Sequence, residues 1–354
     1  MNLLQAVAIN GLTSINQINR AVGSAYSSSF ANLRQDEVIP GLPTENWIAA
    51  RFGESSGRLS LVQDDSPGFK FVEATMLMFV PFNTDLSNID DGRDFVRLDG
   101  GGNNTSIGVR QRDDGTFIGW WGNTGNFEEL DIEFQPGFAY TVTLRVRGQS
   151  VRTVADAQVE LYINGDLKWS MTNFQISTAT STTFQGTNSL ITSGPGYELY
   201  FRDIVVWDEW TTPAGTAPDY YRAEMVTSAN MVEDPASTMT PPPFGISALS
   251  DQDDDTFYLA DEAGEFLELS FTEPSHSVGG PTIAQRVSVE STKGSTENVV
   301  AVLNVSSAIN TEERTWEDLT TDDPSYRYFA TNVSADSISE LGFRITSNEL
   351  PPLP

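Results

Sequence analysis

Residues 157–169 read AQVELYINGDLKW, and this stretch decides the fold. Val159, Leu161 and Ile163 alternate with Gln158, Glu160 and Tyr162, the period of two that a pleated strand imposes on its side chains. The alternation halts at Asn164-Gly165-Asp166 and resumes in LKWSM. Asn-Gly accepts the positive φ angles of a tight turn whose twist suits the strands it joins. The stretch is therefore predicted to be a β-hairpin.

The same pattern runs outward in both directions. Upstream lie FKFVEATMLMFVPF (69–82), DFVRLDG (94–100), TSIGVRQR (105–112), GTFIGWWG (115–122), FEELDIEF (127–134) and YTVTLRVRG (140–148); downstream lies YELYFRDIVVWDEW (197–210). Short β runs separated by Gly, Asn and Asp predict an all-β antiparallel sandwich or barrel over 46–210. Residues 211–245 are rich in Pro, Thr, Ser and Ala and carry little alternation, so they read as a linker or a surface strap. β patterning returns in DTFYLADE (255–262), FLELSFTE (266–273), TIAQRVSVES (282–291), NVVAVLNVSS (298–307), SYRYFATNVS (325–334) and LGFRITSN (341–348). These predict a second, smaller β domain over 246–354, and the tail ELPPLP cannot join a central strand.

At the other end, Leu12, Ile15, Ile18 and Val22 fall at helical spacing and predict a short amphipathic helix. Residues 1–45 read as a helical docking segment for a larger assembly; the alternative packs the helix on its own domain. The stretch has no basic region, and Gln5 and Asn10 interrupt its apolar run, so it reads neither as a signal peptide nor as a membrane span.

The chain holds 354 residues, with 20 Lys+Arg against 49 Asp+Glu and a formal charge of −29. That sign opposes binding to a phosphate backbone, where cationic side chains supply most of the affinity. Cysteine is absent, which excludes disulfides, thiolate metal sites and Cys nucleophiles. The single histidine, His276, sits in the Pro/Ser/Gly loop EPSHSVGG and reads as a solvated residue rather than a catalytic base. No Gly-rich phosphate loop or dinucleotide fingerprint is present.

The strand order resembles the concanavalin A-like jelly roll of the laminin-G/glucanase superfold. YTVTLRV stands where that family begins a strand with W/Y-x-x-l-x-l, VELYINGDLKW is similar to its v-x-l-Y-v-N/D-G-x-l hairpin, and YELYFRDIVVWDE resembles its closing strand. The resemblance implies two packed antiparallel sheets over 46–210. A second resemblance rests on DQDDDTFYLADEAGEF (251–266) and TTDDPSYRYFATNVSADSISELGFRITSN (320–348), which are similar to a β domain of tailed-phage virion proteins. It implies a non-enzymatic structural or adhesive part of a phage particle, in tail, fibre or capsid decoration, made in the bacterial cytoplasm. Its partners would be other virion proteins, engaged through residues 1–45, and further copies of itself, with a trimer expected. A cell-surface glycan would be met weakly and multivalently, with neither nucleic acid bound nor a membrane entered.

One run invites a different reading. In FEELDIEFQPG (127–137), a strand would project Glu129, Asp131 and Glu133 from one face. The run resembles that of retaining glucanases of the laminarinase/lichenase type, which implies Glu129 as nucleophile, Asp131 as helper and Glu133 as acid/base. Retention needs the two carboxyl groups about 5–5.5 Å apart, whereas a regular strand separates i and i+4 by about 13 Å, so a bulge would be required. Gln135-Pro136 breaks the remainder of the motif, and QPGFAYTVTL follows at once. The preferred expectation is a plain strand with Leu130, Ile132 and Phe134 inward and the carboxylates in solvent; a β-glycan hydrolase or depolymerase is the alternative.

Trp120, Trp121 and Trp169 are candidate ligand-binding residues, because sugar C–H faces pack on aromatic rings. Adjacent tryptophans on a strand face opposite ways, so only one of Trp120 and Trp121 can line a given cleft, and core filling is the other fate open to each. The acidic loops SNIDDGRD (87–94), RQRDDGTF (110–117) and SDQDDDTF (250–257) have the oxygen-rich composition that calcium takes. Asp90, Asp91 and Asp94 are the candidate ligands, in a calcium-assisted lectin as a third reading. None of these loops has EF-hand spacing, and Asp-Asp-Gly is also an ordinary turn.

Overall fold

The computed structural model describes residues 3–7, 32–34, 47–50, 57–60, 71–80, 93–99, 106–112, 114–122, 126–151, 153–176, 189–192, 199–221, 231–249, 258–259, 262, 264–272, 282–289, 300–307, 310–316, 325–333 and 342–349. The chain divides into two units, Met1–Glu224 and Met225–Pro354. Both are built from antiparallel strands, so the expected all-β class holds.

The first unit contains β1 (Leu3–Val7), β2 (Asn32–Arg34), β3 (Trp47–Ala50), β4 (Gly57–Ser60), β5 (Phe71–Phe79), β6 (Arg93–Asp99) and β7 (Ser106–Gln111). It continues with β8 (Phe117–Trp121), β9 (Asn126–Leu130), β10 (Ala139–Arg147), β11 (Ala157–Ile163), β12 (Asp166–Phe174), β13 (Ser189–Thr192) and β14 (Leu199–Trp207). Sheet A has the order β12-β11-β10-β5-β14-β3-β2, with β1 also on β14; sheet B has the order β4-β13-β6-β7-β8-β9. The second unit contains β15 (Met231–Glu233), β16 (Phe266–Phe271), β17 (Thr282–Val289), β18 (Val300–Ser307), β19 (Asn310–Trp316), β20 (Ser325–Val333) and β21 (Gly342–Glu349). They form a sheet of order β15-β16-β21-β18-β19 and a separate β17-β20 pair.

The opening hairpin forms as its sequence dictates. Asn164 and Gly165 take φ of 53° and 82°, both in the left-handed region that this turn demands. The Asn164 side chain also accepts the Thr141 N–H at 2.9 Å, and its own N–H donates to the Thr141 carbonyl at 2.8 Å. The turn is thereby tied to the neighbouring β10 as well as to its own strands.

Alternation places one set of side chains between the sheets. From sheet A these are Ala74, Met76, Leu144, Val146, Val159 and Leu161, and from sheet B Val96, Leu98, Ile107 and Val109, all buried. The register Leu144↔Ala74 and Leu144↔Leu161 aligns the sheet A set across three strands. Trp169, opposite Leu161 in register, reaches from sheet A to Gly119 of sheet B, which identifies this face as the inner one.

The domain boundaries differ from expectation at three places. β1 and β2 lie within the reach of the expected docking segment 1–45, yet they pair in sheet A; the expected helix over Leu12–Val22 lies outside the described residues. Residues 211–221 belong to the first unit, hydrogen-bonded to sheet A as the strap reading has it and not as a free linker. Met231–Glu233, also placed in the linker, pairs with β16. A three-residue strand is too short to register as alternation, and strand pairing supplies the order that composition does not.

Candidate functional site

The outer face of sheet B gathers chemistry from four strands. Register aligns Arg97 (β6), Gly108 (β7), Trp120 (β8) and Phe127 (β9) in one row, with Arg110, Ile118 and Glu129 in the next. The Arg97 and Arg110 guanidiniums stand 5.2 and 5.0 Å from the Trp120 ring centre, within cation–π range. Gly108 makes this stack possible: a Cβ there would sit 3.1 Å from Trp120 Nε1 and 2.7 Å from the Val96 carbonyl oxygen.

Beside the stack, on the edge strand, lies an open cluster. Phe127 is 44% exposed. The Arg112 guanidinium rests 4.3 Å from its ring centre, and Arg112 Nη1 lies 3.5 Å from Glu129 Oε1. The Glu129 side chain is 69% exposed. A ring face, a guanidinium fork and a carboxylate are thus presented together to solvent at one end of sheet B.

Arg112 is positioned by a capped turn. Asp114 accepts the Thr116 N–H at 2.9 Å and the Thr116 hydroxyl at 2.6 Å, and Gly115 takes φ of 84°. The two Thr116 bonds hold the Asp114 carboxyl below its ordinary range. Arg112 N–H then closes on the Thr116 carbonyl at 2.9 Å. In the described part of RQRDDGTF, the Asp-Gly pair acts as turn chemistry.

The acidic run resolves differently from the glucanase pattern. β9 ends at Leu130, and the Ile132 N–H donates back to the Leu130 carbonyl at 3.0 Å. That i to i+2 bond is a tight γ-type turn which takes Asp131 off the ladder. Glu129, Asp131 and Glu133 remain exposed while Phe134 turns inward. The charged partner of Glu129 is a guanidinium, not a second carboxyl. The neighbouring Glu128 faces the other way and accepts the Trp169 indole N–H at 3.2 Å.

The three candidate tryptophans part company. Trp169 is buried against Gly119 at the inner face, so its expected ligand-binding role is corrected to core filling. Trp121, on the same face, packs on Trp169 and Phe174 at ring-centre distances of 6.4 and 5.5 Å and is half-buried at the rim of that core. Trp120 points outward as alternation requires, but is only 3% exposed, so it serves as the bed of the arginine stack rather than as an open platform. Asp90 and Asp91 lie outside the described residues; Asp94 stands on β6 opposite Arg110 in register. Among the described residues, no three His, Cys, Asp or Glu side chains converge on a metal-sized space.

Sequence reasoning missed Arg112 and Phe127. Their signal was present as an arginine alternating along RQR and an aromatic opening a strand, but only the β7-β8-β9 register brings them together.

No protein-family model matches the chain, and neither does any curated protein. Among solved structures it is similar to alginate lyase Aly36B, at 14% identity over 57% of this chain and 95% of that one, with a TM-score of 0.36. It is also similar to alginate lyase vAL-1 from Chlorella virus, at 11% identity over 58% and 99%, with a TM-score of 0.40. The Caenorhabditis elegans galectin LEC-6 matches at 14% identity over 45% and 95%, with a TM-score of 0.28. These likenesses are of fold. The expectation of a non-enzymatic chain is overturned here: polysaccharide lyases stand among its structural neighbours, so sandwich architecture and an incomplete glucanase motif give no ground for excluding catalysis.

Proposed function

We propose that the first unit acts on carbohydrate, binding or processing a glycan at the outer face of sheet B. The observation that supports this reading is the exposed Arg112–Phe127–Glu129 cluster. Sugars present apolar C–H faces and a dense ring of hydroxyls. A half-exposed ring offers a stacking surface, the guanidinium offers forked donors, and the carboxylate offers acceptors. The guanidinium fork also suits a sugar that carries a carboxylate. Two of the structural neighbours are named as alginate lyases and one as a galectin, but the reading rests on the surface.

The test uses the full chain on a panel of neutral and uronate-containing polysaccharides, reading retention by affinity electrophoresis. New reducing ends and the ultraviolet absorbance of unsaturated ends, which elimination leaves, are read in parallel. Retention or cleavage that Phe127→Ala abolishes, with the folded spectrum unchanged, is the expected result. A chain that neither retards on nor cuts any member of the panel sinks the reading. No comparison bears on the expected place in a phage particle.

A further inference from the structure

The opposite surface of the sandwich carries a different device. On the outer face of sheet A, register aligns Glu73 (β5), Arg145 (β10) and Glu160 (β11) across neighbouring strands. These are alternation positions that ordinarily meet solvent, yet Glu73 and Arg145 have no exposure and Glu160 is 5% exposed. The cover is the segment 208–221 that follows β14, and these three side chains grip it directly. Arg145 Nη1 donates to the Thr212 carbonyl at 3.3 Å and hydroxyl at 2.8 Å, while Nη2 donates to the carbonyls of Pro213 at 3.2 Å and Thr216 at 2.7 Å. Glu73 accepts the Thr211 N–H at 3.0 Å and pairs with its hydroxyl at 2.6 Å. Glu160 Oε1 accepts the Gly215 N–H at 2.8 Å.

Among the described residues, the charges under this strap do not balance. One guanidinium serves two carboxylates, and it serves them unequally. Its Nε and Nη2 lie 2.9 and 2.5 Å from Glu160 Oε2, whereas Nη1 comes only within 3.6 Å of Glu73 Oε2. Among the described residues, the surrounding groups do not supply the missing charge. The Tyr162 hydroxyl donates to Glu160 at 2.8 Å, and the Trp210 and Tyr162 rings lie over the Arg145 guanidinium at 4.7 and 4.9 Å. Tyr221, on the strap, feels both Glu73 and Asp219 as negative neighbours. On β14, Trp207 opposes Glu73 in register, and Asp203 is engaged by Arg202 at 3.1 Å and by the Tyr220 hydroxyl at 2.7 Å. A second carboxylate charge buried without its own cation is costly, and a proton removes that cost.

We propose that residues 208–221 form a proton-sensitive clasp, held down on sheet A when Glu73 is protonated and loosened as Glu73 ionises. The ionised carboxylate accepts both the Thr211 N–H and the Thr211 hydroxyl; the neutral carboxyl keeps the N–H bond and reverses the other, its own hydroxyl donating to Thr211 Oγ. Burial pushes the Glu73 carboxyl above its ordinary range, against the pull of Thr211 and Arg145. A carboxyl raised in the closed state favours closure below its open-state value. That preference is lost as pH rises through the raised one.

The test is hydrogen exchange of the full chain, with peptides spanning 208–221 followed across mildly acidic to neutral pH and corrected for intrinsic exchange. Opening of the strap is expected to rise with pH by up to about tenfold per unit before levelling, while β10 and β11 peptides keep their protection. Glu73→Gln flattens the profile at the protected level. Thr211→Val, which leaves Glu73 in place, keeps the slope and lowers protection throughout, and serves if the first variant does not fold. A flat wild-type profile, protection that grows with pH, or an unchanged slope in Glu73→Gln overturns the clasp, as does a Thr211→Val strap as protected as wild type.

Discussion

Gly119 of β8 and Trp169 of β12 lie in facing sheets, and the indole fills the place where a side chain on Gly119 would stand. A Cβ at Gly119 would meet Trp169 Cε2 at 2.5 Å. The same indole donates its N–H to Glu128 on β9 and packs on Trp121. Since β12 and β9 end their respective sheets, Trp169 closes that side of the sandwich.

Gly119→Ala is therefore expected to destabilise the first unit by about 1–3 kcal/mol, the usual cost of overpacking a filled core. A lowered denaturation midpoint with an unchanged slope checks it. Combining it with Trp169→Leu should cost less than the two single changes added together, because the clash is then gone.

Gly165→Ala should weaken the β11–β12 hairpin although nothing lies near the added methyl. The position has φ of 82° and open space within 4 Å, so only the left-handed backbone is at issue, and the loss is roughly 1–2 kcal/mol. Thermal unfolding reads this directly; an unchanged midpoint would mean the turn relaxes to another type.

Thr75 and Thr143 share a buried hydroxyl–hydroxyl bond of 3.0 Å across β5 and β10. Either valine substitution leaves the other hydroxyl unpartnered and is expected to cost about 1–3 kcal/mol, while the double change returns most of that loss. A double-mutant cycle measures the coupling, and strict additivity would contradict it.

Asp114 supplies a pH dependence of opposite sign to that of Glu73. Its carboxyl is held low by Thr116, so its contribution is present above the unfolded value and is lost as pH falls through the folded one. Asp114→Ala should flatten that acid limb, read by chemical denaturation at a series of pH values. It should also loosen Arg112, seen as a broadened guanidinium resonance.

Much of the fold is legible in the residues themselves. Asn164-Gly165 dictates its hairpin, and strict alternation places Trp120 and Trp121 on opposite faces, because both depend on local backbone geometry alone. Alternation also marks Val159 and Leu161 as inward. It equally marks Glu73 and Arg145 as outward, and by the same rule as solvent-facing. The fold instead buries them under a strap whose Thr211 is 138 positions from Glu73.

Local periodicity carries no information about such a partner. The run around Glu129 shows the same division. Its alternating exposure persists to Phe134, as the sequence requires, but where the ladder ends and which cation meets Glu129 were decided by the register of β7, β8 and β9. Sequence determined which way each side chain points. Tertiary structure decided what lies over it, because covering a sheet face is a long-range event governed by burial and charge pairing rather than by the pleat.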